Sequence, residues 1–366
     1  MAPVSEIRAQ SGHYRSRLWS PAGRRHDGVM ARTDVPLSIL DLAIIDRDSS
    51  ASEAFSASVA LAQRAEAQGF RRVWYAEHHN MASIASSATS VLIAHVAAHT
   101  TSIRLGAGGI MLPNHSPLVI AEQFGTLATL HPDRIDLGLG RAPGSDQTTM
   151  RALRRSDVAA ERFPEDVLEL QGYLSEASRV RGVTAVPGSG THVPIYILGS
   201  SMFGAQLAAA LGLPYAIASH FAPQSLEAAV AIYRSEFRAS AGHSQPYVIA
   251  AVNLIVADDD DRAQHEFEAV RRARVKRMLT GGPTMSDDAV DEFLASPEGR
   301  QLSEMMKHRA VGTPQRAADE IRDFAQLADA DEVMVVPAGL NAASRLRSVD
   351  RLAEAWRRDG SSGSAP

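Results

Sequence analysis

Residues 103–140, IRLGAGGIMLPNHSPLVIAEQFGTLATLHPDRIDLGLG, hold one complete strand–helix–strand unit. The outer runs IRLGAGGIML and RIDLGLG are short and apolar, as strands covered on both faces are. Between them, SPLVIAEQFGTLATL has helical length and apolar residues three and four apart. Buried strands joined through a helix lie parallel. Working outward, apolar runs of strand length recur near 37–45, 71–76, 103–111, 134–139, 194–199, 214–219, 247–256 and 331–337, each followed by helix. The first helix, within SASVALAQRAEAQGF, stops near Gly69, a residue suited to a C-terminal cap. Strict alternation implies a parallel sheet, and eight units imply a closed (β/α)8 TIM barrel. A doubly wound open sheet is the rival. Two irregular stretches, 140–165 after the fourth strand and 257–313 after the seventh, leave the strand ends where barrel active sites form. They read as lids or substrate walls.

The chain of 366 residues is 45% hydrophobic and 22% charged, with a formal net charge of -5. That balance fits a globular protein and offers no basic surface for nucleic acid. There are no cysteines, which excludes disulfides, thiolate metal sites and cysteine nucleophiles. No apolar run is long enough to span a membrane. Residues 1–34 are Arg- and Ser-rich without the apolar core of a secretory signal, and Met30 opens a second run into the first strand. They are expected to be a disordered extension, residues 35–358 a single barrel domain, and 359–366 a disordered tail. A cytoplasmic location is expected, although the lack of cysteine does not itself decide the compartment.

In a parallel barrel, VWYAEHHN (73–80) ends at the C-terminal mouth with Glu77, His78 and His79. Alternating directions allow at most two of them to face one cavity. A hydrogen-bonded structural cluster, a metal site and a general base all fit these residues. His95 and His99 have the spacing of a helical ligand pair but lack the intervening Glu of H-E-x-x-H. In LGLGRAPGSD (137–146) the dinucleotide fingerprint fails, because Pro occupies position 143 and no helix begins at once. Arg141 remains, in a Gly-flanked loop, with the fork geometry that grips phosphate. ILGSSMFGAQLAAALG places Gly199, Ser200 and Ser201 at a strand-to-helix junction, either an anion site or an ordinary serine cap. Gly108 and Gly109 inside a buried strand indicate a bulge or the close approach of a planar ligand.

VWYAEHHN, GAGGIMLPNHSPLVIAEQ, RIDLGLGRAPGSD, VPIYILGSS and VGTPQ, in this order, resemble the bacterial luciferase-like flavin-dependent monooxygenases over about residues 37–358. The resemblance is to the single-chain branch found in secondary-metabolite pathways. It implies reduced FMN from a separate flavin reductase, reaction with O2 to a flavin C4a-hydroperoxide, and oxygenation of a small organic substrate such as a polyketide or other natural product. His78 matches the catalytic histidine, with Glu77 and His79 as its support. Arg141 and Ser200 match phosphate-binding positions, with Gly199 and Ser201 offering backbone contacts. Gly108 and Gly109 match a non-prolyl cis peptide beneath the flavin. Family dimers pack the helices after strands two and three, which would make His95 and His99 packing residues and the protein a homodimer. No resident metal is implied. Phe203 stands where the family has a phosphate-site threonine, and the luciferase's reactive cysteine has no counterpart. Reduced deazaflavin with hydride transfer, and a metal-dependent barrel hydrolase using the histidines, are the alternatives.

Overall fold

In the computed structural model, residues 35–142, 146–279 and 285–362 are described. The expected extension 1–34 and the final residues 363–366 lie outside them, as do residues 143–145 of the LGLGRAPGSD motif. The strands are β1 Leu37–Asp41, β2 Arg72–Tyr75, β3 Arg104–Met111, β4 Ile135–Gly140, β5 Ile195–Gly199, β6 Tyr215–Ile217, β7 Val248–Val256, β8 Arg309–Gly312 and β9 Glu332–Pro337. Hydrogen-bonded pairing runs from β1 in order to β7, then β7 to β9 and β9 back to β1, all parallel. That closes an eight-stranded barrel, and every expected strand takes part in it.

The ninth strand was not anticipated. β8 pairs with the C-terminal half of β7, Asn253 to Val256, while β6 pairs with its N-terminal half, Val248 to Ala250. β8 therefore lies above β6 beside the same strand, toward the C-terminal side of the barrel. The helices are α1 Ala51–Gln68, α2 Thr89–Ala97, α3 Pro117–Leu130, α4 Gln147–Ala152, α5 Phe163–Leu174, α6 Met202–Leu211, α7 Leu226–Glu236, α8 Asp260–Met278, α9 Asp287–Ala295, α10 Pro297–Glu304, α11 Pro314–Leu327 and α12 Ala342–Ser362. The stretch 257–313 is thus mostly helical. Its helices start at Asp259, Ser286 and Ser296, whose side chains accept backbone N–H groups, and acidic residues fill each first turn. α12 continues past the expected end at 358.

Inside the barrel, Leu40, Trp74, Tyr196, Ile249 and Met334 form an apolar layer. Below it, at the N-terminal ends of the strands, lies a charged floor. Arg72 Nη1 donates to Asp136 at 2.7 Å and to the Tyr196 hydroxyl at 2.7 Å, and Nη2 donates to Glu332 at 3.1 Å. All three ionic groups are at most 1% exposed. Burial would lower the Arg72 guanidinium, but the carboxylates of Asp136 and Glu332 overcome it and keep the cation charged. This floor closes the barrel below. No helix of the described residues is long and apolar enough to cross a membrane.

Candidate active site

β2 delivers its polar ending to the mouth as the alternation of a strand requires. Glu77 and His79 fall on one side and His78 on the other. The Glu77 backbone N–H donates to the Gly109 carbonyl at 3.4 Å, which ties this ending to β3. The Glu77 side chain is 1% exposed and accepts from His79 Nε2 at 2.8 Å, from His115 Nε2 at 2.9 Å and from the Met111 N–H at 3.1 Å. A carboxylate only accepts, so both imidazoles must carry their proton on Nε2. Burial would raise the Glu77 carboxyl, yet the hydrogen bonds from His115 and His79 bring it down to about 2. The same bond raises the His79 imidazole above its ordinary value.

Ligand atoms of Glu77, His79 and His115 lie within 4.8 Å of one another, close enough to hold a cation. Their N···O separations are those of N–H···O bonds, and these account for the cluster. Glu77 and His79 were expected to support His78. Instead they hold each other and His115, because i and i+2 share a face and i+1 does not. Their effect on His78 is through charge alone.

His78 lies half-buried, and its Nδ1 makes no well-formed hydrogen bond among the described residues. Burial lowers its imidazole, an effect that the Ala76 carbonyl and the Glu77 charge offset only in part. Facing it electrostatically is His220, which follows β6. His220 is 8% exposed with an unpartnered Nδ1, and burial, the charge of Arg274 and His78 push it down to about 3. Its loop is pinned to β7. Ser219 Oγ donates to the Ala251 carbonyl at 2.7 Å, and Asn253 Nδ2 donates to the His220 carbonyl at 2.7 Å and to that of His308 at 3.1 Å. Two neutral imidazoles thus stand at one mouth. Asp41, at the end of β1, turns away from it, accepting from Ser58 of α1 at 2.5 Å and from the Ala43 N–H at 2.8 Å.

On the other side, Arg141 leaves β4 and lies over the ring of Phe203, 4.1 Å from its centre. Phe203 belongs to the first turn of α6, so the arginine is carried to the helix start. Ser201 is the N-cap residue of α6 but makes no side-chain cap hydrogen bond, and Ser200 makes none either among the described residues. An ordinary serine cap is therefore absent, and the first N–H groups of α6 remain free for an anion. Phe203 thus gives Arg141 a cation–π platform at the helix start. Gly199 ends β5 directly below.

The pairing of β3 with β4 slips between Ala107 and Ile110, and the Gly108–Gly109 peptide within the slip is cis. Both glycines are dictated by close approach. A Cβ on Gly108 would lie 2.9 Å from Leu40 Cδ1 and Trp74 Cβ, and one on Gly109 would lie 2.8 Å from the Gly138 carbonyl oxygen. His95 and His99 are far from this constellation in role. They are exposed, their rings lie 4.6 Å apart, and His99 Nδ1 meets the His95 carbonyl at 2.7 Å at the end of α2.

His115 and His220 were missed in the sequence. His115 sits inside the quoted GAGGIMLPNHSP motif, and His220 follows a barrel strand by three residues, so position at a strand end was the available signal. Comparison with known proteins places the chain in a family. The model of the family described as luciferase-like monooxygenase matches residues 35–331. A luciferase-like monooxygenase of Escherichia coli strain K12 is 49% identical over 311 residues, covering 84% of this chain and 92% of its own. The solved structure of apo-MsnO8 is 34% identical with a TM-score of 0.79, covering 88% of this chain and 99% of its own. The oxygenating component of a 3,6-diketocamphane monooxygenase of Pseudomonas putida, solved with FMN, shares the fold at 14% identity and a TM-score of 0.66, covering 88% of this chain and 98% of its own. The chain belongs to the luciferase-like monooxygenase family.

Proposed function

We propose that this monooxygenase works as the oxygenating half of a two-component system, using reduced FMN from a separate flavin reductase, together with O2 and a small organic substrate. The observation that carries this reading is the convergence of Arg141 on the uncapped start of α6. A guanidinium over an aromatic ring and a set of free helix N–H groups form the donor set that a terminal phosphate requires. Arg141 with the backbone of Gly199, Ser200 and Ser201 would hold that phosphate. The slipped segment at Gly108 and Gly109 would lie under the ring system. When bound, reduced FMN would supply the electrons by which one oxygen atom enters the substrate and the other leaves as water.

The chain's own residues would then manage protons and water. His78, kept neutral by burial, can accept or donate a proton at Nε2 near neutral pH. Glu77, locked by two imidazoles and the Met111 N–H, fixes the end of β2 without itself being a proton donor at that pH. The insertion after β7 would exclude water from the mouth. A homodimer through α2 and α3 fits the exposed apolar side chains of Val91, 67% accessible, and Val119, 43% accessible. A cytoplasmic setting would suit exchange with a reductase. The metal-dependent hydrolase alternative has no support in the family, and hydrogen bonds already close the cluster it would use.

The test is a titration of FMN and riboflavin against the wild-type protein and Arg141→Ala. Loss of FMN affinity by at least about tenfold, with riboflavin changed by less than about twofold, supports the phosphate assignment. Equal losses remove it. Tight binding of a deazaflavin by protein that takes neither flavin would replace the reading with hydride transfer.

A further inference from the structure

Ile249, Ala251 and Asn253 are alternate residues of β7, and the first two belong to the apolar layer inside the barrel. On β9 the ladder partner of Asn253 is Val336, a member of the same layer. Residues paired across a parallel ladder point to one face, so Asn253 projects into the barrel above Ala251. On β2 the same alternation brings Trp74, Ala76 and then His78 to the inner face. An amide that is 5% exposed therefore lines the mouth one step above an apolar layer.

This amide is held from one edge only. Nδ2 places its two protons on two carbonyls, that of His220 at 2.7 Å and that of His308 at 3.1 Å. Turning the amide over would set Oδ1 against those same two oxygens, so the hydrogen bonds fix its orientation. Oδ1 itself accepts no hydrogen bond among the described residues, yet it is not sealed from solvent. The Arg72 floor closes the barrel below, so the open side of this oxygen is the mouth.

A donor arrives beside it on the turn 218–222. The Phe221 and Ala222 N–H groups close that turn on the Ala218 carbonyl at 3.3 and 3.1 Å, and Ser219 Oγ ties it to Ala251 of β7 at 2.7 Å. His220 is 8% exposed, and its ring stands edge-on to Phe221. Its Nδ1 is sealed without a partner, whereas its Nε2 makes no hydrogen bond among the described residues and is not sealed. A proton on Nδ1 would be stranded, so the neutral ring carries its proton on Nε2. Burial also keeps the ring from becoming a cation, so it donates without adding charge.

We propose that Asn253 Oδ1 and His220 Nε2 recognise one neutral hydroxyl group of the organic substrate, which donates to the amide oxygen and accepts from the imidazole. This rests on the monooxygenase reading above. A hydroxyl can do both through a single oxygen, whereas a carboxylate, ketone or ether has no proton to give to Oδ1. β9 and β1 stand between β7 and β2, so the pair grips the substrate from a different part of the wall than His78.

The test is calorimetric titration of FMN-saturated protein with para-alkylphenols and straight-chain alkanols, each beside its methyl ether, which keeps the oxygen and loses the proton. The tightest hydroxyl probe should bind wild-type protein at least about tenfold better than its ether. In Asn253→Leu that ratio should fall below about threefold, and in Asn253→Asp, which keeps an acceptor oxygen, it should stay above about fivefold. His220→Leu should weaken the hydroxyl probe at least about fivefold, and His220→Gln, which keeps a donor, should recover part of that loss. Equal binding of hydroxyl and ether by wild-type protein, or no binding of any hydroxyl probe, would overturn the pair. So would a ratio that survives Asn253→Leu, a ratio that Asn253→Asp loses as fully as leucine does, or a hydroxyl affinity indifferent to His220→Leu. FMN affinity is read first in every protein. Should Asn253→Leu lose FMN as well, Asn253→Asp and the two His220 variants decide alone. Failure of wild-type protein to bind FMN would strike the cofactor reading, whereas loss of the hydroxyl preference with FMN bound strikes only the pair.

Discussion

Replacing His220 with leucine should make the protein less sensitive to acid, and the size of the effect follows from the burial of the imidazole. In the folded chain His220 is held at about 3, against an ordinary 6.5, by burial first and then by Arg274 and His78. Between those two values the unfolded chain binds a proton that the folded chain refuses, so stability falls as pH falls through that window. The full window corresponds to about 5 kcal/mol, at about 1.4 kcal/mol per pH unit, and about 3 kcal/mol of it is lost by about pH 4.5. Leucine fills a similar volume, keeps contact with Phe221, whose ring centre lies 4.9 Å from that of His220, and removes the titration. Urea unfolding of both proteins at about pH 7.5 and about pH 4.5 measures the difference. Other carboxylates and histidines titrate in both proteins and cancel. The variant should lose about 2–3 kcal/mol less than wild type over this range. Identical losses would mean that His220 is protonated in the folded state, and the picture of two neutral imidazoles at the mouth would fail.

Two further outcomes concern groups that hold the site from behind. Glu77 is held at about 2, so its pairing contributes stability above pH 4.5 and loses it as pH falls toward 2. Glu77→Gln should destabilise the protein at neutral pH by about 3 kcal/mol and return the His79 imidazole, followed by NMR, toward 6.5 or below; an unmoved His79 would contradict the clasp. Arg72→Met strands Asp136 and Glu332 in the barrel floor and should cost about 3–5 kcal/mol in urea unfolding, whereas a loss under about 1 kcal/mol would show that the floor is hydrated.

The barrel was legible because each of its eight strands is a continuous apolar run, and the helix period between runs forces them parallel. β8 was not, because RAVG is only four strand residues beside a helix and pairs only with the upper half of β7. The caps of α8, α9 and α10 were present as Asp259, Ser286 and Ser296 in a stretch that nevertheless read as irregular. At the site, Arg141 and Ser201 could be named singly, but only Phe203 brings the arginine to the helix. His115 and His220 arrive from loops after β3 and β6, and no local pattern joins residues so far apart in the chain to Glu77 and His78. Pairing on α8 was equally hidden, because Asp291 and Asp287 reach Arg272 and Lys276 from the next helix.

In the proposed reaction, reduced FMN bound at the mouth meets O2 there under protection by the protein. This is tested most directly by mixing the protein anaerobically with reduced FMN, admitting O2, and following absorbance by stopped flow. A transient distinct from both reduced and oxidised FMN is expected, decaying faster in His78→Ala. Oxidation at the rate of free reduced FMN, with no transient, would contradict it.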